Sequence, residues 1–411
     1  MDQNQTGSAY RAFRVCAYRH KYENALLVGG RSFTFWDLLT RSEYCYNSFR
    51  QLGIEPGDRV ALWLPHCPDL PACFYGLSRL GAVPVLCYEL SAPQEVGQML
   101  QNSGARLLIT TPDRYYTYTQ QLGKLPGVIL CRPELDKKGR EKRAYLRSLS
   151  TPYQGECRYL DQLVAANRYN ANETPACDPQ CPAVILYGSS CFARCVPISY
   201  LSQELAFTAQ AFARHRGQVH SVFVENSFAT EGGFLAVHSA LCSGVAVLWA
   251  GEDPWRSVIK NKPDYLVATE EFYWELRQNA PRFAGKWPNL QGGIQIGKEL
   301  TPLMAKFASR AFRLMGGSGV LCGSPVPLKV RKEELYFVKD FGVRLWDLEQ
   351  AVAGLPQVEK CSCTADAAGI RLRLQLRPGE AATLTNQVLD FCRCRLNPRH
   401  LPEKVEFKPI N

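Results

Sequence analysis

Apolar residues along this chain follow two patterns that alternate: the i, i+3, i+4 spacing of a helix, and short continuous runs. Residues 33–52 show helical spacing behind Thr34, which is placed to cap a helix, and residues 59–64 form a continuous apolar run. Similar alternation predicts further helices ending near Leu80 and spanning 93–102, and buried strands at 83–86, 106–110, 183–187, 221–224, 245–248 and 265–268. Helices that alternate with apolar strands predict an α/β fold, in which helices cover parallel-rich sheets.

Two segments break this pattern. Residues 112–182 are irregular and rich in Pro, Tyr and charge, which favours a surface connection with some local structure. From about residue 331 the pattern becomes that of a small α+β module, with predicted strands at 334–338 and 370–376 and predicted helices at 347–352 and 385–395. We therefore predict a large N-terminal domain over residues 1–330 and a small C-terminal lid domain over 331–411.

Composition excludes several classes of protein. With 411 residues, 46% of them hydrophobic and 21% charged, the chain can bury a core. The net charge of +10 is dispersed, and its one basic run, residues 137–143, is more typical of a solvated loop than of a nucleic-acid site. No apolar run reaches the ~18–20 residues of a membrane span, and the polar first residues lack a signal segment. We expect a cytoplasmic protein without nucleic-acid partners.

The 17 cysteines raise the question of a metal site. Cys361/Cys363 and Cys392/Cys394 are close pairs, but both have C-x-C spacing rather than C-x-x-C, and no histidine lies beside them. We interpret the cysteines as reduced, buried, small hydrophobic residues and predict no metal site.

One run of residues carries a family resemblance. Residues 53–66, Gly-Ile-Glu-Pro-Gly-Asp-Arg-Val-Ala-Leu-Trp-Leu-Pro-His, followed by Gly81-Ala82-Val83-Pro84-Val85, resemble the N-terminal region of the adenylate-forming ligases. This superfamily comprises acyl- and aryl-CoA synthetases, nonribosomal-peptide adenylation domains and luciferases. The agreement continues in order at residues 240–248, 297–300, 342–345, 347–349 and 355–358.

The resemblance implies a mechanism and its partners. In this family the large domain binds ATP, Mg²⁺ and a carboxylate. The small lid then rotates between adenylation and thioester formation. A small carboxylic acid is therefore the expected substrate, and CoA or the phosphopantetheine of an acyl carrier protein is the expected acceptor.

The phosphate loop of the family has a shortened counterpart here. After the strand at 183–187, residues 188–196 have lost most of the loop glycines, but Ser189 and Ser190 keep hydroxyl groups and Arg194 can replace the lysine. A phosphate-binding remnant and an ordinary turn into a helix starting near Ser199 both remain open.

Further departures concern the nucleotide. Gly316-Gly317-Ser318-Gly319-Val320 is the best match to the Tyr-Gly-x-Thr-Glu motif, and Gly297 belongs to a Gly-rich segment; we name Gly297, Gly316, Gly317 and Ser318 as nucleotide-binding candidates. Val320 then stands where the magnesium ligand belongs, and a valine offers no oxygen. The Thr-Gly-Asp segment that grips the ribose has no counterpart. Lys404 and Lys408 match the adenylation lysine by position only and are better explained as surface lysines.

The acyl pocket is the part of the site that the resemblance preserves best. It places Phe228 as the wall aromatic, with Gly232 and Gly233 allowing backbone to approach an acyl or aryl carboxylate. Phe228 as an ordinary core residue is the alternative, and His220 and His238 are best explained as structural.

Three functions stay open from the sequence. The first is a divergent ligase-like protein that binds an acyl or aryl carboxylate, or its carrier- or CoA-bound form, with adenylation weakened or lost. An active acid–thiol ligase is the second, and a non-catalytic scaffold is the third. A repurposed enzyme acting on an already activated acyl group is a further variant. ATP-dependent pyrophosphate release separates the active ligase from the others.

Overall fold

The structure is a computed structural model. It describes residues 8–118, 122, 127–133, 158–168, 181–188, 196–205, 219–249, 254–296, 300–318, 320–323, 335–338, 341–344, 352, 355, 357–366, 369–377, 388 and 404–407. The chain separates into two compact units. The first comprises Met1–Leu186 and Ser199–Pro327, and the second comprises Tyr187–Ile198 and Leu328–Asn411. The domain assignment at residue 330, and the lid role with it, stays a prediction.

Fourteen strands form the two large sheets within the described residues. They are β1 (Asn24–Val28), β2 (Arg31–Thr34), β3 (Arg59–Trp63), β4 (Val83–Leu86), β5 (Leu107–Thr110), β6 (Gly127–Leu130), β7 (Arg158–Tyr159), β8 (Pro182–Gly188), β9 (Val196–Leu201), β10 (Ser221–Val224), β11 (Ala246–Trp249), β12 (Tyr265–Ala268), β13 (Gly292–Gln295) and β14 (Val320–Gly323). Sheet A has the order β14-β13-β12-β10-β11-β1-β2, and sheet B has the order β7-β6-β5-β3-β4-β8-β9.

Both sheets are parallel-rich, as predicted. In sheet A each pair from β14 to β1 is parallel, and only β1 and β2 pair antiparallel. In sheet B the pairs from β7 through β8 are parallel. The central strands β3, β4, β5 and β11 are buried along nearly all of their length, so their sequences are largely continuous apolar runs rather than alternating ones.

Ten α-helices connect the strands in the described part of the chain. They are α1 (Ala9–Arg19), α2 (Phe35–Gln51), α3 (Asp69–Leu80), α4 (Pro93–Ser103), α5 (Pro112–Tyr118), α6 (Leu160–Ala166), α7 (Glu231–Ser243), α8 (Pro254–Asn261), α9 (Glu270–Asn279) and α10 (Pro302–Met315).

Local chemistry fixes where several of these helices begin. Thr34 accepts a hydrogen bond from the Asp37 backbone N–H at 3.1 Å, while Asp37 accepts one from the Thr34 N–H at 2.8 Å, so α2 starts with a capping box. The side chains of Thr230, Thr269 and Thr301 cap α7, α9 and α10 in the same way.

The structure corrects two predictions. The segment 112–182 is more than a surface connection, because it supplies β6 and β7 to sheet B. The helix predicted to start near Ser199 begins three residues later, because Ser199 lies within β9, beside β8, and residues 202–205 are helical. The β-branched residues Val196 and Ile198 alternate along this stretch and favour an extended chain.

The second unit contains small sheets. β15 (Leu335–Val338) and β16 (Phe341–Arg344) pair antiparallel, as do β17 (Val358–Asp366) and β18 (Gly369–Leu376), and β19 (Lys404–Phe407) joins β18 in parallel. Cys361 and Cys363 lie on β17, and Cys363 is buried. The cysteine pair 392/394 and most of the helices predicted at 347–352 and 385–395 lie outside the described residues.

A helix that crosses a membrane needs about 20 predominantly apolar residues. In the residues that the structure describes, no helix is both long enough and apolar enough to cross a bilayer.

Candidate functional site

Side chains from both large sheets meet where the parallel strands end. His66 follows β3, Glu89 follows β4 and Ser227 follows β10, and Trp249 is the last residue of β11. We call these four residues the strand-end cluster. The carboxyl ends of parallel strands are where open α/β sheets bind their ligands.

Direct contacts hold the cluster together. The His66 ring stacks on the Trp249 indole with 4.7 Å between ring centroids and 12° between planes. The Nε2 atom of His66 lies 3.8 Å from Oε1 of Glu89, and the Ser227 hydroxyl donates to the other oxygen of that carboxylate. His66 and Glu89 are only 13% and 18% exposed, so an imidazole and a carboxylate are held in a mostly dry site.

Two buried polar atoms of this region have no hydrogen-bond partner in the described part of the protein. They are the indole Nε1 of Trp249, within the cluster, and the side-chain oxygen Oδ1 of Asn226, the residue before Ser227. Leaving such a group unpaired costs about 1–3 kcal/mol. The indole N–H, on a ring that stacks against His66, is therefore a group that a ligand with a polar end can satisfy, and Asn226 adds an acceptor next to Ser227 in the sequence.

Phe228 lies next to this cluster. Its ring meets those of Phe74, Phe234 and Trp249 edge to face, at centroid distances of 5.6, 5.2 and 6.0 Å, and the side chain is fully buried. The structure thus places Phe228 in the aromatic packing behind the cluster. Its role as a ligand-contacting wall stays a prediction.

The two glycines after Phe228 have packing reasons of their own. A Cβ atom on Gly233 would lie 2.0 Å from the Ser227 carbonyl oxygen, because the chain folds tightly where Thr230 caps α7. A Cβ atom on Gly232 would lie 3.2 Å from the Cδ1 atom of Ile296. Both glycines therefore allow close contacts within the protein, whether or not a ligand also approaches them.

Gly316, Gly317 and Ser318 lie at the opposite end of sheet A. Gly316 ends α10 with φ of 101°, and Ser318 donates its backbone N–H to Leu290 at 3.1 Å. Val320 then opens β14 and is 58% exposed. These residues precede the strand, whereas a ligand site is expected beyond its carboxyl end. The geometry assigns the glycines a packing role and gives their predicted nucleotide contact no support within the described residues.

The remaining candidates lie outside the described residues. These are Ser189, Ser190, Arg194, Gly297 and Lys408; Lys404 opens β19, and only its backbone is described. Their predicted phosphate, nucleotide and catalytic roles stay predictions.

Other polar side chains of this region have structural partners. Glu225 accepts hydrogen bonds from the backbone N–H and the hydroxyl of Thr269, at 2.8 and 3.0 Å. Glu231 accepts one from the Tyr200 hydroxyl. Both carboxylates thereby hold helix starts in place rather than face an open site.

Sequence analysis missed most of the strand-end cluster. His66 closed the run that carried the family resemblance, but its partner was not identified, and Glu89 and Trp249 were not singled out at all. One signal was available, since the four cluster residues each lie within three residues of the end of a predicted buried strand.

Comparison with known proteins identifies the family. The family model of the AMP-binding enzymes matches residues 13–333, which is most of the chain. The protein therefore belongs to the AMP-binding enzyme family, and the predicted adenylate-forming superfamily is confirmed.

Individual relatives agree with this assignment. A crotonobetaine/carnitine–CoA ligase of Salmonella paratyphi A is 37% identical over 90 residues, a segment that covers 22% of this chain and only 17% of that ligase. Two solved structures share the fold. A benzoate CoA ligase from Burkholderia xenovorans has a TM-score of 0.64 and 15% identity, and the match covers 97% of this chain and 96% of that one. A long-chain-fatty-acid-CoA ligase from Archaeoglobus fulgidus has a TM-score of 0.65 and 12% identity, and the match covers 98% of this chain and 97% of that one. The predicted fold class is confirmed.

Proposed function

We propose that this protein is a ligase-like binder of an acyl or aryl carboxylic acid, free or as its thioester, and that the acid's polar end sits at the strand-end cluster. The observation that carries the proposal is the buried Trp249 Nε1, an N–H without a hydrogen-bond partner in the described residues, on a ring that stacks against His66. An indole N–H suits a carboxylate or carbonyl oxygen, and the rings of Trp249 and His66 suit an apolar or planar body.

Charge around the nucleotide supports weak adenylation. Beyond the carboxyl end of β14, the sequence from 324 to 332 is Ser-Pro-Val-Pro-Leu-Lys-Val-Arg-Lys, and Glu333 and Glu334 are the first carboxylates that follow. The family holds magnesium with a Glu, and Mg²⁺ requires oxygen ligands. At Val320, the position that the resemblance matches to this Glu, the side chain offers no oxygen.

Without a magnesium carboxylate, the charge that develops on the α-phosphate during adenylation is poorly neutralised. We infer that ATP and Mg²⁺ bind weakly and that CoA or a carrier-bound acyl group is a secondary ligand. The cytoplasm stays the predicted compartment.

Binding of the acid is tested by calorimetry with a panel of aryl and acyl acids on the wild type and two variants. Trp249→Phe keeps an aromatic ring but removes the N–H, so we expect affinity to fall about 10–100-fold, as for the loss of one hydrogen bond to a charged group. Trp255→Phe is the matched control, because the Trp255 N–H donates to Glu275 at 2.8 Å on the surface. Equal affinities in the two variants would contradict the site.

Catalysis is tested separately by pyrophosphate release with ATP, Mg²⁺ and each acid that binds. We expect release close to the rate without enzyme. A low-micromolar ATP site with rapid release would instead identify an active ligase, and a failure of every acid to bind would favour the scaffold.

A further inference from the structure

We propose that Cys67, Asp69 and Cys131 bind one zinc ion. The two sulfur atoms and a carboxylate oxygen of Asp69 all lie within 4.8 Å of one another. This trio is separate from the cysteine pairs considered from sequence, and Asp69 and Cys131 are 62 positions apart in the chain.

Backbone contacts hold both sulfur-bearing residues in place. Cys67 lies just before α3, and its carbonyl oxygen accepts the Leu70 N–H of the first helical turn at 3.2 Å. Cys131 follows β6, and its N–H donates to the carbonyl oxygen of Thr110 at the end of β5, at 2.7 Å. Both cysteines are buried, so the sulfurs converge on rigid supports before any ion arrives.

Asp69 uses its two oxygens differently. Oδ1 accepts a hydrogen bond from Nη1 of Arg41 at 2.7 Å, while Oδ2 accepts one from the Cys131 thiol at 3.5 Å. Carboxylates that ligate metals are commonly held by such an outer partner, which fixes their orientation. Because the Asp69 side chain is 18% exposed, it also gives the interior thiols a polar route to solvent.

The donor set selects the type of ion. Two thiolates and one carboxylate match the ligands of zinc, whereas Mg²⁺ and Ca²⁺ demand oxygen alone. Two thiolates, one carboxylate, Zn²⁺ and the Arg41 guanidinium sum to zero charge, so the filled site buries no uncompensated charge. Binding displaces the thiol protons into solvent, and water completes the tetrahedral coordination.

Cobalt(II) titration of the reduced, chelator-stripped full-length protein tests the site, because Co²⁺ occupies zinc sites and its thiolate complexes absorb in the near ultraviolet. We expect one Co²⁺ per chain with a thiolate charge-transfer band that Zn²⁺ displaces. Cys67→Ser/Cys131→Ser should lose the band. Cys45→Ala, which removes another fully buried thiol from the neighbouring helix α2, should keep it.

Two further variants keep both thiols and so keep the test decisive if the double variant does not fold. Asp69→Asn should weaken Co²⁺ binding at least 10-fold, and Arg41→Gln should weaken it by about 10–100-fold, as outer partners of metal sites do. A wild type without the charge-transfer band, or Asp69→Asn and Arg41→Gln binding Co²⁺ as the wild type does, would overturn the proposal. The acid-binding experiment above has an independent readout and is unaffected by either result.

Discussion

His238 should make the stability of this protein sensitive to mild acid. Its ring is buried on α7, stacks on Phe234 and lies 3.1 Å from the Tyr75 hydroxyl through Nδ1. Burial lowers the pKa of His238 from 6.5 to about 4. The neighbouring Tyr75 hydroxyl and Cys242 thiol have pKa values raised by burial, so both stay protonated in this range.

The direction in which the free energy of unfolding changes with pH depends on which state, folded or unfolded, takes up the proton. Between pH 6.5 and 4 the unfolded chain protonates this histidine while the folded protein does not, so stability is lost as pH falls through that window. With a folded pKa of about 4 and an unfolded pKa of 6.5, the loss between pH 7.5 and pH 5 is about 2 kcal/mol.

Urea unfolding at several pH values measures this contribution as a difference between proteins. His238→Gln offers Tyr75 a polar partner but cannot titrate, so its stability deficit relative to the wild type should shrink by about 2 kcal/mol between pH 7.5 and pH 5. His220→Gln, at an exposed position, serves as the control for replacing a histidine elsewhere in the chain, and its measured change with pH is subtracted from that of His238→Gln. A deficit of His238→Gln that does not change with pH would refute the reasoning.

Two core predictions follow from the packing around Phe228. Gly233→Ala should destabilise the folded protein by about 3 kcal/mol or more, because the new methyl group meets the Ser227 carbonyl oxygen. Gly232→Ala meets only the flexible Ile296 side chain and should stay within about 1 kcal/mol of the wild type. Equal unfolding midpoints for the two variants would contradict the clash. Phe228→Ala should cost about 3–5 kcal/mol in chemical denaturation, as a buried aromatic truncation does, and a loss below about 1 kcal/mol would show that the ring does not pack as described.

Local patterns were enough to predict most of the regular elements. The strand predicted at 83–86 is β4 itself, and α2 begins directly after Thr34 because the capping box is encoded within four residues. β7 escaped because two residues are too few for a pattern to emerge. β6 is a short apolar run like β4, but it lies in a segment rich in Pro, Tyr and charge that was interpreted as a connection. β9 escaped because the preceding loop was expected to lead into a helix.

The candidate site was harder to predict because it depends on tertiary contacts. The Ser227 hydroxyl donates a hydrogen bond to Glu89, which lies 138 positions away in the sequence. The residues around either position do not indicate which residue the partner is. Glycines are ambiguous in sequence for a related reason. A Cβ atom on Gly317 would lie 2.3 Å from the Leu290 carbonyl oxygen, so packing alone requires glycine at this position. In the sequence, such a glycine looks the same as one that faces a nucleotide.

The pairing of β1 with β11 constrains the order in which the protein can fold. Leu26 sits opposite Val247 in a parallel ladder, so β1, which can pair with β2 at once, meets this second neighbour only after about 220 more residues are synthesised. At synthesis rates of roughly 5–20 residues per second this wait lasts about 10–40 s. During that time most of sheet B can assemble, whereas the apolar strand Asn24–Val28 stays without its parallel partner. A version of the protein lacking β1 and β2 would leave β11 as a bare sheet edge.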